Sequence, residues 1–282
     1  MPGAAGARPK GRRELGVCRH KPHLGQSMIP LHDDNPTHRF PVLTIGLIAL
    51  CVLVFLWQVT LPPQAAQAAV YSFGMIPAVV FGEAALSADL AAVPPVLSVV
   101  TSMFMHGGWM HLIGNMLYLW IFGNNIEDSM GHVRFIAFYL ICGAAAAFAQ
   151  AFQDPSSTVP MIGASGAIGG VLGGYALLFP HARVLVLIPI GFIMTTVRIP
   201  ALWVLGFWFV LQFVQSAMSP ATGGGGVAYW AHIGGFVAGL VLIPFFKDRS
   251  VPLFGRARNR RTGPASSMRI PRSGSRRRGP WQ

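Results

Sequence analysis

Long apolar blocks alternate with short polar turns along this chain, which is the pattern of a polytopic membrane protein rather than of a soluble domain. A helix needs roughly 20 apolar residues to cross the hydrocarbon core. Six segments predict such spans: Pro41–Thr60, Trp109–Phe122 (short, extended by its flanks), Val133–Phe152, Ile162–Phe179, Pro200–Met218 and Tyr229–Phe246. Two further apolar stretches read as interfacial or re-entrant pieces. Val184–Val197 has 14 residues, contains Pro189 and Gly191, and is bracketed by Arg183 and Arg198; residues 91–105 contain Pro94–Pro95. Broken backbone in lipid would leave its polar groups unsatisfied. The expected fold class is therefore all-α, a membrane bundle of six transmembrane helices.

Composition agrees, since 53% of the 282 residues are hydrophobic and 11% charged, against about 25% charged in a soluble domain. The net charge of +12 invites a nucleic-acid reading until the basic residues are located. Seven of the 21 Lys and Arg lie in residues 1–40 and eleven in residues 247–282, with only Arg134, Arg183 and Arg198 between. With six spans, all 21 fall on one side, and loops 61–108, 153–161 and 219–228 carry none. That partition predicts both termini cytoplasmic and a large first extracytoplasmic loop. The domain reading is a basic, disordered tail over 1–39, a membrane domain over 40–246 and an Arg-rich disordered tail over 247–282. The tails suit anionic lipid headgroups, and no nucleic-acid partner is expected. Met28 is a second plausible start. Cys18, Cys51 and Cys142 imply no disulfide framework. Cys18, His20 and His23 lack a fourth well-spaced ligand, so no metal is expected.

Polar side chains within a span are costly and are functional candidates by default. Helix order and direction put Ser165 near the outer end of the fourth span, His232 near the outer end of the sixth, and His106, His111 and Asn115 where the second enters. His111 and Asn115 share a face at i, i+4 spacing. Ser165, Gly169 and Gly173 form a small-residue stripe beside Gly166, Gly170 and Gly174, while His232, Gly235 and Gly239 share a face of the sixth span. Such stripes let helix backbones approach closely. The serine could then lie within hydrogen-bonding reach of the histidine, as an activated nucleophile requires. A lone GASG is more often a packing surface; the joint placement of five polar residues at one depth is what favours chemistry.

The ordered set HGGWMHLIGNM, FGNNIEDSMGHVRF, GASGA and AHIGGFVAG, across six helices, resembles the rhomboid intramembrane serine proteases over about residues 28–246. The resemblance implies a dyad of Ser165 as nucleophile and His232 as general base, then general acid. It implies oxyanion binding by His111 and Asn115 with the Ser165 backbone N–H. His106 corresponds to a histidine that organises the region, and Gly163 and Gly166 flank the serine as in the family's GxSG motif. Two positions depart from the family pattern. Gly169 stands where many members have an aromatic residue packed on the histidine, leaving Tyr229, Trp230 or Phe236 to orient His232. Residues 62–108 also lack the Trp-Arg pair of the first outer loop.

Peptide hydrolysis needs a nucleophile, a proton acceptor and donors aimed at the developing oxyanion. Glu127 and Asp128 lie at the inner end of helix 2, too far away to complete a triad. The run around Ser165 is not the GxSxG of a soluble hydrolase, and no HExxH is present. The resemblance implies that single-pass membrane proteins are cut near the outer end of their transmembrane segment, in the cell membrane, most simply a bacterial plasma membrane. No cofactor is expected. The loop SPATGGGGVAY, residues 219–229, reads as a mobile cap. The competing readings are an inactive relative that binds transmembrane helices and a proton or metal relay, which would call for acidic residues within the spans.

Overall fold

The computed structural model describes residues 29–190, 193–218 and 227–255. Four of its helices are long and apolar enough to cross a membrane: α1 (Val42–Thr60), α7 (His132–Ala151), α9 (Ala201–Met218) and α10 (Tyr229–Phe246). A fifth span is possible if Pro95–Phe104 and Trp109–Met130 act together across their 84° bend. The latter stretch joins α5 (Trp109–Tyr118), a π-helical turn at Leu119–Gly123 and α6 (Asn124–Met130). The six expected spans thus stand as four, or five with the bent pair. The remaining one, α8 (Ser165–Leu178), has only 14 residues.

The start of α8 is delayed for a local reason. Met161 is extended and pairs with Met75, each N–H donating to the other's carbonyl at 2.8 and 3.0 Å. Gly163 follows with φ of 129°, a conformation that L side chains rarely adopt. Helical geometry begins only at Ser165. Almost every residue of α8 is buried, and the largest side chains around it, Phe122, Phe138, Tyr139, Leu172 and Tyr175, are wholly enclosed.

Residues 61–108 form a helical lobe rather than an open loop: α2 (Pro63–Phe73), α3 (Pro77–Val80), α4 (Pro95–Thr101) and a 3-10 turn at Ser102–Phe104. Met75, Val99 and Met103 pack this lobe against Ala147 and Ala151 of α7. Thr101 Oγ1 also donates to the Phe73 carbonyl at 2.7 Å. These contacts anchor a lobe that has no Trp-Arg pair.

At the end of the bundle away from Ser165, the all-α expectation is corrected. A three-stranded antiparallel sheet runs β1 (Ile29–Asp33), β2 (Arg183–Ile190), β3 (Ile193–Pro200) in that order. Ile29 opposes Leu187 and Leu185 opposes Arg198. Val184 and Val186 are fully buried in the core. The stretch Val184–Val197 is thus no span, as its proline and flanking arginines indicated, and its described residues pair as antiparallel strands instead of forming a broken helix. Strand β1 also brings order into the segment expected to be a disordered tail through residue 39.

Buried carboxylates tie this end together. Glu127 accepts the backbone N–H groups of Leu43 and Thr44 at 2.9 and 2.8 Å, the Thr44 hydroxyl at 2.7 Å, and lies 2.6 Å from His132 Nδ1. It thereby caps the N-terminus of α1 from another helix, where Pro41 offers no side-chain cap. Asp128 accepts the N–H groups of His38 and Arg39 at 3.2 and 2.9 Å. Asp33 accepts from Tyr175 Oη at 2.5 Å and Asn125 Nδ2 at 2.8 Å. Beyond α10, Asp248 pairs with Arg39 and Arg134 at 3.6 and 2.9 Å. The N–H groups of Phe254 and Gly255 then close on the Leu177 and Leu178 carbonyls, both at 2.9 Å. Residues 247–255, expected to open a disordered tail, therefore form a strap across the end of α8.

Candidate active site

Ser165 opens α8 and His232 lies in the first turn of α10. Their side chains meet at 2.8 Å, His232 Nε2 to Ser165 Oγ. What brings them together is the contact between the two helices. A Cβ built at Gly235 would collide with the Gly166 carbonyl oxygen, and one at Gly239 with that of Gly170. On the other side, a Cβ at Gly166 would stand 2.6 Å from Ala146 Cβ. These are the glycine stripes of the sequence, pressed backbone to backbone.

The other ring nitrogen of His232, Nδ1, lies 2.7 Å from Gln212 Oε1 on α9. Trp208, one turn earlier on α9, sets its ring 5.7 Å from the imidazole at an interplanar angle of 35°. None of Tyr229, Trp230 and Phe236 takes this position, although Phe236 packs behind Trp208 at 6.3 Å. A side chain at Gly169 would require α8 and α10 to part slightly. Its Cβ would stand 3.0 Å from the His232 carbonyl oxygen and 3.3 Å from the Phe236 nitrogen, both rigid backbone. The start of α10 is fixed from α7, where Gln150 Oε1 accepts the N–H groups of Trp230 and Ala231 at 3.1 and 3.3 Å. That side chain supplies the cap that Ala228 lacks.

His111 and Asn115 project from α5. His111 lies so near Gly163 that a Cβ there would stand 2.7 Å from its Nε2, so position 163 excludes a side chain on space as well as on φ. His111 Nδ1 accepts the Gly107 N–H at 3.3 Å. His106 stacks edge-on against His111 at 5.2 Å, and its backbone is held on both sides by Gln58 of α1. Gln58 Oε1 accepts the His106 N–H at 3.0 Å and Gln58 Nε2 donates to the His106 carbonyl at 3.2 Å. Among the described residues, Asn115 Nδ2 and His106 Nε2 are buried without a hydrogen-bond partner. A buried donor left unmatched costs stability, and Asn115 shares a face of α5 with His111 at i, i+4 spacing.

Beside Ser165 a cavity of about 40 Å³ is lined by Met103, Gly143, Ala146, Gly166 and Ala231. The arrangement can transfer the Ser165 proton to an imidazole whose second nitrogen is already engaged, with spare donors nearby for a developing oxyanion.

Contacts join Ser165 to His232, His111 to Gly163 and His106 to His111, Asn115 lies one turn after His111 on α5, and Glu127 and Asp128 cap the start of α1 and the residues before it. Sequence reasoning missed Gln58, Gln150, Gln212 and Trp208. The glutamines carried a signal, being uncharged polar residues inside apolar helices, the same signal that identified Ser165 and His232. Residues 219–226, most of the expected cap, and Cys18, His20 and His23 lie outside the described residues.

A family profile described as "Rhomboid domain" matches residues 95–249. Among individual proteins, the chain is similar to the mitochondrial rhomboid protein 1 of Saccharomyces cerevisiae, 31% identical over 151 residues, 51% of this chain and 40% of the yeast protein. It is similar to the rhomboid protease GluP of Bacillus subtilis, 31% identical over 140 residues, 50% of this chain and 24% of that protein. A chloroplastic rhomboid-like protein 11 of Arabidopsis thaliana is 28% identical over 157 residues, 51% of this chain and 50% of the plant protein. The chain thus spans half or less of the length of these relatives. Organellar proteins stand beside a bacterial one, so the likeness does not support the expected bacterial plasma membrane.

Proposed function

This chain belongs to the rhomboid family, and on that footing we propose that it is an intramembrane serine endopeptidase that cuts transmembrane segments of single-pass proteins. The observation that carries the reading is the 2.8 Å contact between Ser165 Oγ and His232 Nε2, side chains from two different helices. Ser165 Oγ attacks the scissile carbonyl as its proton passes to His232 Nε2. The oxyanion is received by the His111 and Asn115 side chains and the Ser165 N–H, and His232 then protonates the leaving amine. Water, activated by the same imidazole, releases the acyl group. Gly163 and Gly166 leave room for this geometry, and His106 supports His111.

The narrow cavity beside Ser165 suits a small side chain at the residue preceding the cut. The substrate segment must be extended to reach the serine, so helix-breaking Gly or Pro near the cut favours cleavage. We place six spans in the membrane, counting the bent pair and α8, with the basic tails on the cytoplasmic side against anionic headgroups and Ser165 below the opposite surface.

The test is cleavage of a tagged single-pass substrate by purified protein in detergent and in liposomes. Wild type is expected to cut while Ser165→Ala and His232→Ala do not. Equal cutting by Ser165→Ala would sink the nucleophile assignment. Failure of the wild type on several helix-breaker substrates would instead favour an inactive relative that binds transmembrane helices, with Gly169 the first position to examine.

A further inference from the structure

We infer that Gln212, backed by Trp208, is the positioning residue for His232, so that the base is held by α9 rather than by its nearer neighbour α8. This rests on the serine-protease reading. Three observations carry it. Gln212 is buried, and its Oε1 lies 2.7 Å from His232 Nδ1. Trp208 lies i, i−4 from Gln212, hence on the same face of α9, and covers the imidazole face. At Gly169, the α8 position facing α10 behind Ser165, a Cβ would already press on the backbone of His232 and Phe236, at 3.0 and 3.3 Å.

The chemistry gives the contact a direction. A carbonyl oxygen at Nδ1 requires the ring proton on Nδ1, which leaves Nε2 with the lone pair that the Ser165 hydroxyl needs. The reverse amide orientation would put a proton on Nε2 and disable the base. As Nε2 takes up the serine proton, the ring becomes cationic and the bond from Nδ1–H to Gln212 strengthens. A carboxylate would stabilise that cation more, but within the bilayer it carries a large desolvation cost in the resting state. A neutral amide fixes the tautomer without burying a charge. Trp208, its ring 5.7 Å from the imidazole, limits rotation about the ring axis.

Helix α9 turns an apolar surface outward (Trp203, Phe207, Val210, Phe213). Displacing it from α10 would remove the Nδ1 acceptor and the ring platform in one movement. The base is therefore set only when α9 is packed in place.

The experiment compares wild type, Ser165→Ala, Gln212→Met and Gln212→Glu as full-length protein in detergent. It measures kcat and KM on a single-pass substrate, the rate of Ser165 labelling by a fluorophosphonate, and the melting temperature. Gln212→Met keeps length and volume but removes the acceptor; Gln212→Glu keeps an acceptor. We expect Gln212→Met to lower kcat and the labelling rate about 10- to 100-fold, the order for a lost hydrogen bond to a group that becomes charged, with KM within about twofold. Gln212→Glu should restore kcat to within about threefold of wild type. Should Gln212→Met not fold, Gln212→Asn, too short to reach Nδ1, must show the same loss. A wild-type kcat in the Met or Asn variant overturns the inference, as does an equal loss in Met and Glu variants, which would mark a packing role. Wild-type activity in Ser165→Ala would instead overturn Ser165 as the nucleophile, and with it the serine-protease reading, whatever the Gln212 variants do.

Discussion

Gly235 rests against Gly166 so closely that the carbonyl oxygen of one occupies the place where the other's Cβ would stand. His232 lies one turn before Gly235 and Ser165 immediately before Gly166. The separation of the two helices at the glycines therefore sets the separation of the two reacting groups.

Gly235→Ala is expected to push α10 away from α8 by about 1 Å, a displacement that can cost roughly 100-fold in rate. Loss of kcat/KM with a folded, partly destabilised protein is the expected result. Unchanged kcat/KM would mean that the dyad tolerates a looser helix contact than the backbone geometry implies.

Asn115→Ala removes a buried donor that has no partner among the described residues. Its effect should fall on kcat, roughly 10²- to 10³-fold as for an oxyanion-site donor, while the melting temperature stays level or rises, since an unmatched polar group is also removed. Equal losses in stability and rate would instead mark Asn115 as a structural residue.

Glu127→Ala strips the N-terminus of α1 of its cap and leaves the Leu43 and Thr44 N–H groups buried without partners. Roughly 3 kcal/mol of stability should be lost. Ser165 labelling should be little altered in the fraction that stays folded, because Glu127 lies at the far end of the bundle. Loss of labelling at full stability would contradict that division.

Asp33 gives the fold a pH dependence of defined sign. Burial raises its pKa from 3.8 to about 6, against the opposing effect of the Tyr175 hydrogen bond. Below 3.8 folded and unfolded chains both hold the proton, and the contribution is fully present. It is lost as pH rises to about 6 and stays lost above, a difference of roughly 3 kcal/mol. Asp33→Asn should flatten this part of the melting-temperature profile between about pH 4 and pH 7. Parallel profiles for wild type and variant would show that Asp33 is ionised throughout.

The helices were legible because apolar length is a strong signal: Tyr229–Phe246 was placed to the residue, and Val42–Thr60 and Ala201–Met218 each to within one. Helix α8 was expected from Ile162 but begins at Ser165, since a strand-like pairing with Met75 and the φ of Gly163 arise only in the folded chain. The sheet was missed because Val184–Val197 carries an apolar run that reads equally as a short helix, and because its third strand, β1, comes from a distant basic stretch without a clear strand pattern. Among the site residues, Ser165, His232, His111 and Asn115 stood out by chemical type. Gln58, Gln150 and Gln212 share the signal of a polar residue in an apolar helix, but what they do depends on which backbone or ring atom each one reaches. An orienting partner for His232 was expected on α10, whereas its Nδ1 meets Gln212 of α9, a contact that depends on how α9 packs and not on the spacing within α10.

The dyad joins residues 67 positions apart in the chain, with a consequence for biosynthesis. At about 5–20 residues per second, a ribosome makes His232 roughly 3 to 13 s after Ser165. During that interval the nascent chain carries a serine with no imidazole to activate it, and the glycine face that will receive α10 is still bare. On the proposed reading, a newly made copy is thus inert towards neighbouring membrane proteins until its final described helix inserts, and the step that completes the described bundle also switches on its chemistry.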